Sequence, residues 1–336
     1  MKTLIRLPNW IGDAVMATPM IRAVIRDPST SSCAVWGPPK VATLFHHFPD
    51  IDRVLEIDSK QEPDRLEEIR GEAFERIYLL PNSYSSAKEA KSLEIPERIG
   101  YRTQWRGSLL THGVWCGSRI RNLRMAEYYL HLLPEAVREL AEGPIPNLAV
   151  SEEEKTSIQE KLGTIASGET TLVGMAPGAA FGPAKQWFIE NFQALARSLV
   201  DEGIGIAILG GPDEVEAGEN IVDGLPESLS VNLAGKTTIR EMMAALVHCR
   251  VLVTNDSGPM HIADALGTPT VAIFGSTDSS WTGPRREHHQ VLQSNVPCNP
   301  CFLRECPIGY PCMGGITVEM TREGVDRILR EGGGAD

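Results

Sequence analysis

The sequence predicts an α/β protein with two Rossmann-like domains, each built on a parallel sheet. Short apolar runs alternate along the chain with amphipathic stretches of roughly ten residues, the pattern of βαβ units. This pattern occurs twice, on either side of a polar stretch rich in proline and glycine at residues 143–168. At 336 residues the chain is also long enough to bury two full cores.

The individual elements follow from the periodicity of apolar residues. The first half predicts a helix at residues 13–26 and strands at residues 3–7, 33–37, 54–57 and 76–80. The second half predicts strands at residues 171–175, 205–209, 231–233, 251–254 and 270–274, with helices at 191–202, 213–222, 238–248 and 258–266 between them. We therefore place the domains at residues 1–150 and 168–316. Residues 151–167 become a linker, and residues 317–336 become a C-terminal helix and tail, for which packing back onto the first domain is one option.

Charge is divided unevenly between the two halves. Residues 1–150 hold 19 basic and 19 acidic side chains, whereas residues 151–336 hold 13 and 25, so the net charge of −12 belongs to the second half. The acidic total argues against a nucleic-acid binder. The neutral half nevertheless contains a stretch, residues 98–126, with six arginines and no acidic residue: Arg98, Arg102, Arg106, Arg119, Arg121 and Arg124.

The N-terminus predicts a cytoplasmic protein. Pro8, Asn9 and Asp13 interrupt any apolar segment that a signal peptide would need. No run approaches the ~18 apolar residues that span a bilayer. The seven cysteines are then expected as reduced thiols or metal ligands and not as disulfides. A peripheral membrane role stays open.

Ligands of parallel sheets bind at the carboxyl ends of strands, so the loop after the first strand is a candidate site. Gly12 permits a tight turn there, and Asp13 stands at the start of the following helix. Asp13 can be the N-cap of that helix, the commoner role for such a residue. It can also be a general base that the helix N-terminus keeps ionised. The two roles are compatible.

Two loops of the second half have the composition of anion sites. Residues 176–187 combine small residues, which let backbone N–H groups approach a ligand, with Lys185. Residues 254–261 follow a strand and open a helix, where Asp256 or Ser257 can cap and Pro259 fits the first turn. The alternatives are an ordinary loop with a solvated lysine and a capped helix with a buried His261. Two such loops on neighbouring strand ends favour a bound diphosphate.

Four cysteines are clustered near the C-terminus. Cys298, Cys301, Cys306 and Cys312 suggest either a structural metal site or a loop with free thiols. Only the first two have the spacing of a zinc knuckle.

Five ordered motifs resemble the ADP-heptose:lipopolysaccharide heptosyltransferases of glycosyltransferase family 9, the type II enzymes more than type I. The motifs lie at residues 7–16, 177–187, 232–237, 255–261 and 300–307. The resemblance implies the GT-B fold, with two Rossmann-like domains facing a central cleft. It also implies inverting transfer of heptose from ADP-heptose to the first heptose of the inner core, lipid A–Kdo2–heptose, at the cytoplasmic face of the inner membrane.

The resemblance also implies roles for individual residues. Asp13 would be the general base. The donor diphosphate and sugar would lie against Ala179, Ala180, Phe181, Lys185, Asp256, Ser257, Gly258 and His261. The adenosine would lie near Glu214, Gly235, Lys236 and Thr237. The six arginines of residues 98–126 would bind the anionic acceptor. No D-x-D motif fits the donor loops, so we expect no required metal or other cofactor.

Two other functions remain as alternatives. One is a nucleotide-sugar epimerase on the same architecture, and the other is a non-catalytic nucleotide-binding protein. The arginine-rich stretch favours the transferase, because arginine recognises phosphate and carboxylate bidentately. Tryptophans and leucines between the arginines suit an amphiphilic acceptor. A surface loop with solvated arginines is the alternative for that stretch.

Overall fold

The computed structural model describes residues 1–166 and 170–331. The chain divides into a first compact unit, Met1–Ala149, and a second that begins at Val150. This boundary falls within the polar stretch at residues 143–168. Residue 167 of the predicted linker, residues 168–169 of the predicted second domain and residues 332–336 of the predicted tail lie outside the described residues.

The first unit is a parallel sheet with helices. Its strands follow the order β3-β2-β1-β4-β5-β6. The strands are β1 (Lys2–Arg6), β2 (Ser32–Gly37), β3 (Arg53–Glu56), β4 (Arg76–Leu79), β5 (Glu97–Tyr101) and β6 (His112–Val114). The helices are α1 (Ile11–Met16), α2 (Thr18–Arg26), α3 (Pro39–Ala42), α4 (Leu66–Gly71), α5 (Tyr84–Ser92), α6 (Ser118–Arg121), α7 (Met125–Leu130) and α8 (Glu135–Arg138).

The helix predicted at residues 13–26 is two helices, α1 and α2, separated at Ala17. Pro19 is the reason, since it has no N–H to donate to the carbonyl of Val15 four residues earlier. The Thr18 hydroxyl donates to that carbonyl instead, at 2.8 Å. Breaking the helix here limits α1 to a short segment that carries Asp13.

The second unit repeats the same sheet. Its strands follow the order β12-β11-β10-β7-β8-β9, all parallel. The strands are β7 (Leu172–Ala176), β8 (Gly205–Ile208), β9 (Ser230–Asn232), β10 (Val251–Asn255), β11 (Thr270–Phe274) and β12 (Gln290–Gln293). The helices are α9 (Glu152–Leu162), α10 (Ile189–Val200), α11 (Val215–Val222), α12 (Ile239–His248), α13 (Gly258–Leu266), α14 (Ser279–Thr282), α15 (Pro311–Gly314) and α16 (Val318–Glu331).

Residues before and after the second sheet form helices of the second unit, in which α9 packs against α12 and α16 packs against β10, β11 and β12. Most of the predicted linker forms α9, which begins with a reciprocal capping box between Ser151 and Glu154. Glu154 also pairs with Arg240 of α12 at 2.6 Å. Helix α16 places Val325 and Ile328 in the hydrophobic core of the second unit. Both helices therefore contribute to the stability of this unit.

Each sheet reverses its strand order once, between β1 and β4 and between β7 and β10. In open parallel sheets, ligands bind at the carboxyl ends of the strands beside such a reversal. Asp13 lies in the first turn of α1, the helix that follows β1. The loops after β7 and β10 contain Lys185 and Asp256. The topology therefore places the main sequence-predicted site residues at the expected sheet edges.

Candidate active site

Asn255, the last residue of β10, fixes the loop that follows β7. Its side-chain amide donates to the carbonyl of Pro177 at 2.6 Å, and its carbonyl oxygen accepts the Trp187 N–H at 3.0 Å. Asn255 is completely buried. Because both ends of residues 177–187 bond to one amide group, this loop has a defined position on the sheet edge.

Lys185 lies on a 3-10 turn, Pro183–Lys185, within that loop. Its ammonium group donates to Asp256 Oδ2 at 2.5 Å, and the Thr277 hydroxyl donates to the same oxygen at 2.6 Å. The side chain of Asp256 is 2% exposed and that of Lys185 is 13% exposed. The loops after three strands that are neighbours in the sheet, β7, β10 and β11, thus contribute to one polar cluster, formed by Lys185, Asp256 and Thr277.

The start of α13 lies directly after this cluster. Ser257 is the N-cap residue in extended conformation, and its hydroxyl forms no capping bond. Gly258 and Pro259 form the first turn of this nine-residue helix. Backbone N–H groups at such a terminus, together with the helix dipole, favour an anion.

His261 is buried one turn into α13. Burial lowers its pKa, and the charges of Asp256 and Asp264 oppose this effect only in part. The imidazole is therefore neutral at pH 7. It can donate or accept a hydrogen bond near the Lys185–Asp256 pair without adding a further positive charge.

The residues predicted near the adenosine occupy the neighbouring strand ends. The Glu214 carboxylate accepts the Gly211 N–H at 2.7 Å and lies against Gly178, where a Cβ would overlap it. Gly235 has a positive φ of 68° and donates to the Gly210 carbonyl at 3.1 Å. Lys236 is exposed beside it, and Thr237 is half-buried. The loops after β8 and β9 are thereby joined.

Asp13 is the third residue of α1. The capping interpretation of Asp13 is wrong, because the N-cap position belongs to Trp10, which makes no side-chain capping bond. Asp13 still lies in the first turn, where the helix dipole stabilises its carboxylate. Its charge acts on Tyr129, whose pKa is raised mainly by burial and further by Asp13.

The six arginines of residues 98–126 are not equivalent. Arg106 is completely buried, and its guanidinium donates to backbone carbonyls, including that of Tyr101 at 2.8 Å. Burial lowers its pKa to about 10. Arg98 similarly donates to the carbonyls of Leu109 and Ile95, at 2.9 and 2.5 Å. The prediction that Arg106 binds the acceptor is therefore corrected: this side chain organises its own loop, and Arg98 shares that role.

The other arginines remain accessible. Arg102, Arg119 and Arg121 are exposed, and Arg124 is half-buried. Two tryptophans of the same stretch are unusually exposed, Trp105 at 96% and Trp115 at 75%. A surface that combines exposed indoles with guanidinium groups is suited to an amphiphile with anionic groups.

The structure does not arrange the four clustered cysteines as a set of metal ligands. Cys298 is exposed, Cys301 and Cys306 are half-buried, and Cys312 is buried. Across residues 1–166 and 170–331, which include all four, no group of three or more His, Cys, Asp or Glu side chains is arranged to hold a metal ion. Burial raises the pKa of Cys312, and backbone hydrogen bonds to the thiol oppose this effect only in part.

The sequence analysis assigned no role to two residues of this site, Asn255, which fixes the loop after β7, and Thr277, which belongs to the polar cluster. Asn255 was within a quoted motif, but its bonds join loops that are 78 residues apart in sequence. Thr277 lies in the loop after β11, which ends at Phe274. Its position three residues beyond a predicted strand was the available signal, because polar residues at this sheet edge face the ligand site.

Two parallel-sheet units of the same strand order, with a lysine–carboxylate pair and a helix N-terminus at one reversal point, have the architecture of the GT-B fold. This confirms the predicted fold class. Residues 65–310 match glycosyltransferase family 9 (heptosyltransferase), and the chain belongs to this family.

Individual proteins that are similar to this chain are heptosyltransferases as well. Lipopolysaccharide heptosyltransferase 2 of Escherichia coli K12 is 30% identical over 87% of this chain and 88% of its own length. Lipooligosaccharide heptosyltransferase 2 of Campylobacter jejuni (strain 81116) is 27% identical over 98% of this chain and 99% of its own. The structure of E. coli ADP-heptose lps heptosyltransferase II has a TM-score of 0.85 and 28% identity, covering 99% of this chain and 100% of that one. These similarities confirm the predicted heptosyltransferase of lipopolysaccharide core biosynthesis and favour type II over the alternatives.

Proposed function

We propose that the protein transfers L-glycero-D-manno-heptose from ADP-heptose to the first heptose of lipid A–Kdo2–heptose. The observation that carries this proposal is the Lys185–Asp256–Thr277 cluster beside the N-terminus of α13. It provides a cation, helix N–H groups and a buried carboxylate at the reversal point of the second sheet. A nucleotide diphosphate-sugar requires this combination, because its leaving group is a diphosphate and its sugar offers hydroxyl donors.

The proposed reaction is a single displacement with inversion. The acceptor hydroxyl oxygen attacks the anomeric carbon while the bond from that carbon to the diphosphate oxygen breaks, and ADP leaves. Asp13 accepts the hydroxyl proton. Lys185 and the N–H groups at Ser257 and Gly258 stabilise the negative charge that grows on ADP. Adenosine contacts come from Glu214 and the loop after β9. The scheme requires no metal and no covalent enzyme intermediate.

We assign acceptor binding to the exposed arginines of the first unit, Arg102, Arg119 and Arg121, with Arg124. Lipid A and Kdo carry phosphates and carboxylates that guanidinium groups bind bidentately. Trp105 and Trp115 would enter the interfacial layer of the inner membrane on its cytoplasmic face. In the described part of the chain, no helix is long and apolar enough to cross a membrane.

The test is ADP release by purified protein supplied with ADP-heptose and heptosyl-Kdo2-lipid A. Asp13→Asn should lower kcat by about 10²–10⁴-fold, the usual contribution of a positioned general base. Asp64→Asn removes an exposed carboxylate of the same unit and should leave turnover unchanged. Full turnover by Asp13→Asn would refute the base assignment. Absence of heptose transfer by the unmodified protein would refute the proposed reaction.

A further inference from the structure

Lys185 cannot neutralise a diphosphate by itself. Its ammonium group is 2.5 Å from the buried Asp256 carboxylate, so the pair contributes no net charge. The second half as a whole is acidic, with 13 basic against 25 acidic residues at 151–336. Stabilising a leaving ADP therefore calls for a further cation near Lys185 that no carboxylate compensates.

Arg304 meets that requirement; it lies in residues 298–312, the segment with the four clustered cysteines, called the cysteine loop below. Its guanidinium carbon lies 5.3 Å from the centre of the Phe181 ring, and Lys185 Nζ lies 4.9 Å from the same centre. Arg304 is exposed. Among the described residues it pairs with no carboxylate. The two cations thus share one aromatic ring, and only Arg304 has an uncompensated charge.

The backbone holds Arg304 at this position. Its carbonyl accepts the Ala184 N–H at 3.0 Å, one residue before Lys185, and the Ala184 carbonyl accepts the Ser276 N–H at 3.2 Å. Phe302 donates in turn to the Ser276 carbonyl at 2.8 Å. The cysteine loop is therefore bonded to the loops after β7 and β11. Its path brings a guanidinium to the ligand-binding edge of the sheet.

We infer that Arg304 is a second cationic ligand of the donor diphosphate, acting with Lys185. This inference rests on the proposed ADP-heptose donor and deepens it. Arg304 contacts the β-phosphate through its N–H groups, and Phe181 orients both cations. Its contribution grows as the bond to the anomeric carbon breaks, because negative charge then accumulates on the diphosphate.

The experiment compares Arg304→Gln, Arg304→Lys and a control, Arg327→Gln, which removes an exposed arginine of α16 paired with Glu331. Calorimetry measures binding of ADP and of AMP, which lacks the β-phosphate. Arg304→Gln should weaken ADP binding by about tenfold or more and AMP binding by less than about threefold, as expected for one charge-assisted contact to a phosphate. It should also lower kcat with ADP-heptose. Arg304→Lys should recover part of the loss, and the control should match the unmodified protein.

Two results would overturn the inference. One is ADP affinity and kcat in Arg304→Gln equal to those of Arg327→Gln. The other is an equal loss of ADP and AMP affinity, which would show that Arg304 supports the loop and does not contact the β-phosphate. Circular dichroism checks that each variant is folded. ADP binding and heptose transfer by the unmodified protein test the proposed function separately, so its failure is distinguishable from failure of this inference.

Discussion

At the residue scale, the Lys185–Asp256 ion pair has both an electrostatic role in the site and a structural role in the loop, and a single substitution affects both. The Asp256 side chain is 2% exposed, so its carboxylate depends on Lys185 and on the Thr277 hydroxyl to compensate for lost hydration. Truncating Lys185 removes the cation and also leaves a buried carboxylate without its ion-pair partner. A loss of activity in such a variant therefore mixes a chemical effect with a structural one.

Lys185→Met is expected to lower the free energy of unfolding by about 3 kcal/mol, the scale for breaking a buried ion pair by removing one partner. The double variant Lys185→Met/Asp256→Asn should regain at least half of this loss, because no uncompensated charge remains. Urea unfolding of Lys185→Met, Asp256→Asn and the double variant measures the difference. If the double variant loses the sum of the two single losses, the two charges are not energetically coupled.

His261 predicts a pH dependence of stability. Burial lowers its pKa in the folded protein below the ordinary value of 6.5, so the unfolded chain binds more protons as the pH falls. This group's stabilisation is complete above about pH 6.5 and is lost as the pH falls towards the folded-state pKa. His261→Gln should therefore reduce the loss of unfolding free energy between pH 7.5 and pH 5.5. An identical loss in the variant would contradict the assignment to His261.

At the element scale, the sequence predicted best where apolar periodicity is strong. The central strands β1, β4, β7 and β10 are apolar and are found close to their predicted positions. Strand β5 and the outer strands β6 and β12 were not predicted, since Glu97, His112 and Gln290 begin short, partly exposed runs without a clear pattern. Helix α9 was assigned to a linker because of its charged residues. Its two buried side chains, Ile158 and Leu162, become informative only once α12 lies against them.

The loop after β7 depends on one glycine. Gly182 has a φ of 145°, and a Cβ there would lie 2.7 Å from the Arg304 carbonyl oxygen. This close approach lets the cysteine loop bond to Ala184. The sequence shows a glycine at position 182 but not why glycine is required there, because the contacting carbonyl lies more than a hundred residues further along the chain.

Gly182→Ala should weaken ADP binding at least severalfold and destabilise the second unit by about 1–3 kcal/mol, the range for a strained backbone position. Gly203→Ala is the matched control, because Gly203 also has a positive φ, 79°, but has no atom within 4 Å of the added Cβ. The control should lose stability without losing ADP affinity. Equal ADP affinities in the two variants would show that the contact with Arg304 does not shape the site.

At the scale of the whole molecule, the composition shows that the net negative charge belongs to the second half of the chain, and the fold shows which site each half carries. The acidic half forms the unit with the Lys185 cluster, where local groups must attract a diphosphate against the net charge. The neutral half forms the unit with Trp105 and Trp115. The sequence predicted the same role for all six arginines. Only the folded structure distinguishes them, because it shows that the Arg106 guanidinium donates to backbone carbonyls of its own unit.

The membrane binding that we propose would have to come from a local surface of the first unit and not from the net charge of the protein. The chain carries a net charge of −12, which a negatively charged bilayer repels at long range. The exposed indoles of Trp105 and Trp115 offer apolar surface for the interface, and Arg102, Arg119 and Arg121 offer short-range attraction. Such binding should occur with anionic vesicles, be weaker with neutral ones and decline with added salt.

Replacing both tryptophans, Trp105→Ser and Trp115→Ser, should reduce cosedimentation with anionic vesicles by about tenfold or more, since each indole buries a large apolar area. ADP affinity should not change, because the Lys185 cluster belongs to the other unit. Trp281→Ser is the control, a tryptophan of the second unit that is 38% exposed. If this control loses as much vesicle binding as the double variant, the first unit's exposed tryptophans do not define the membrane-binding face.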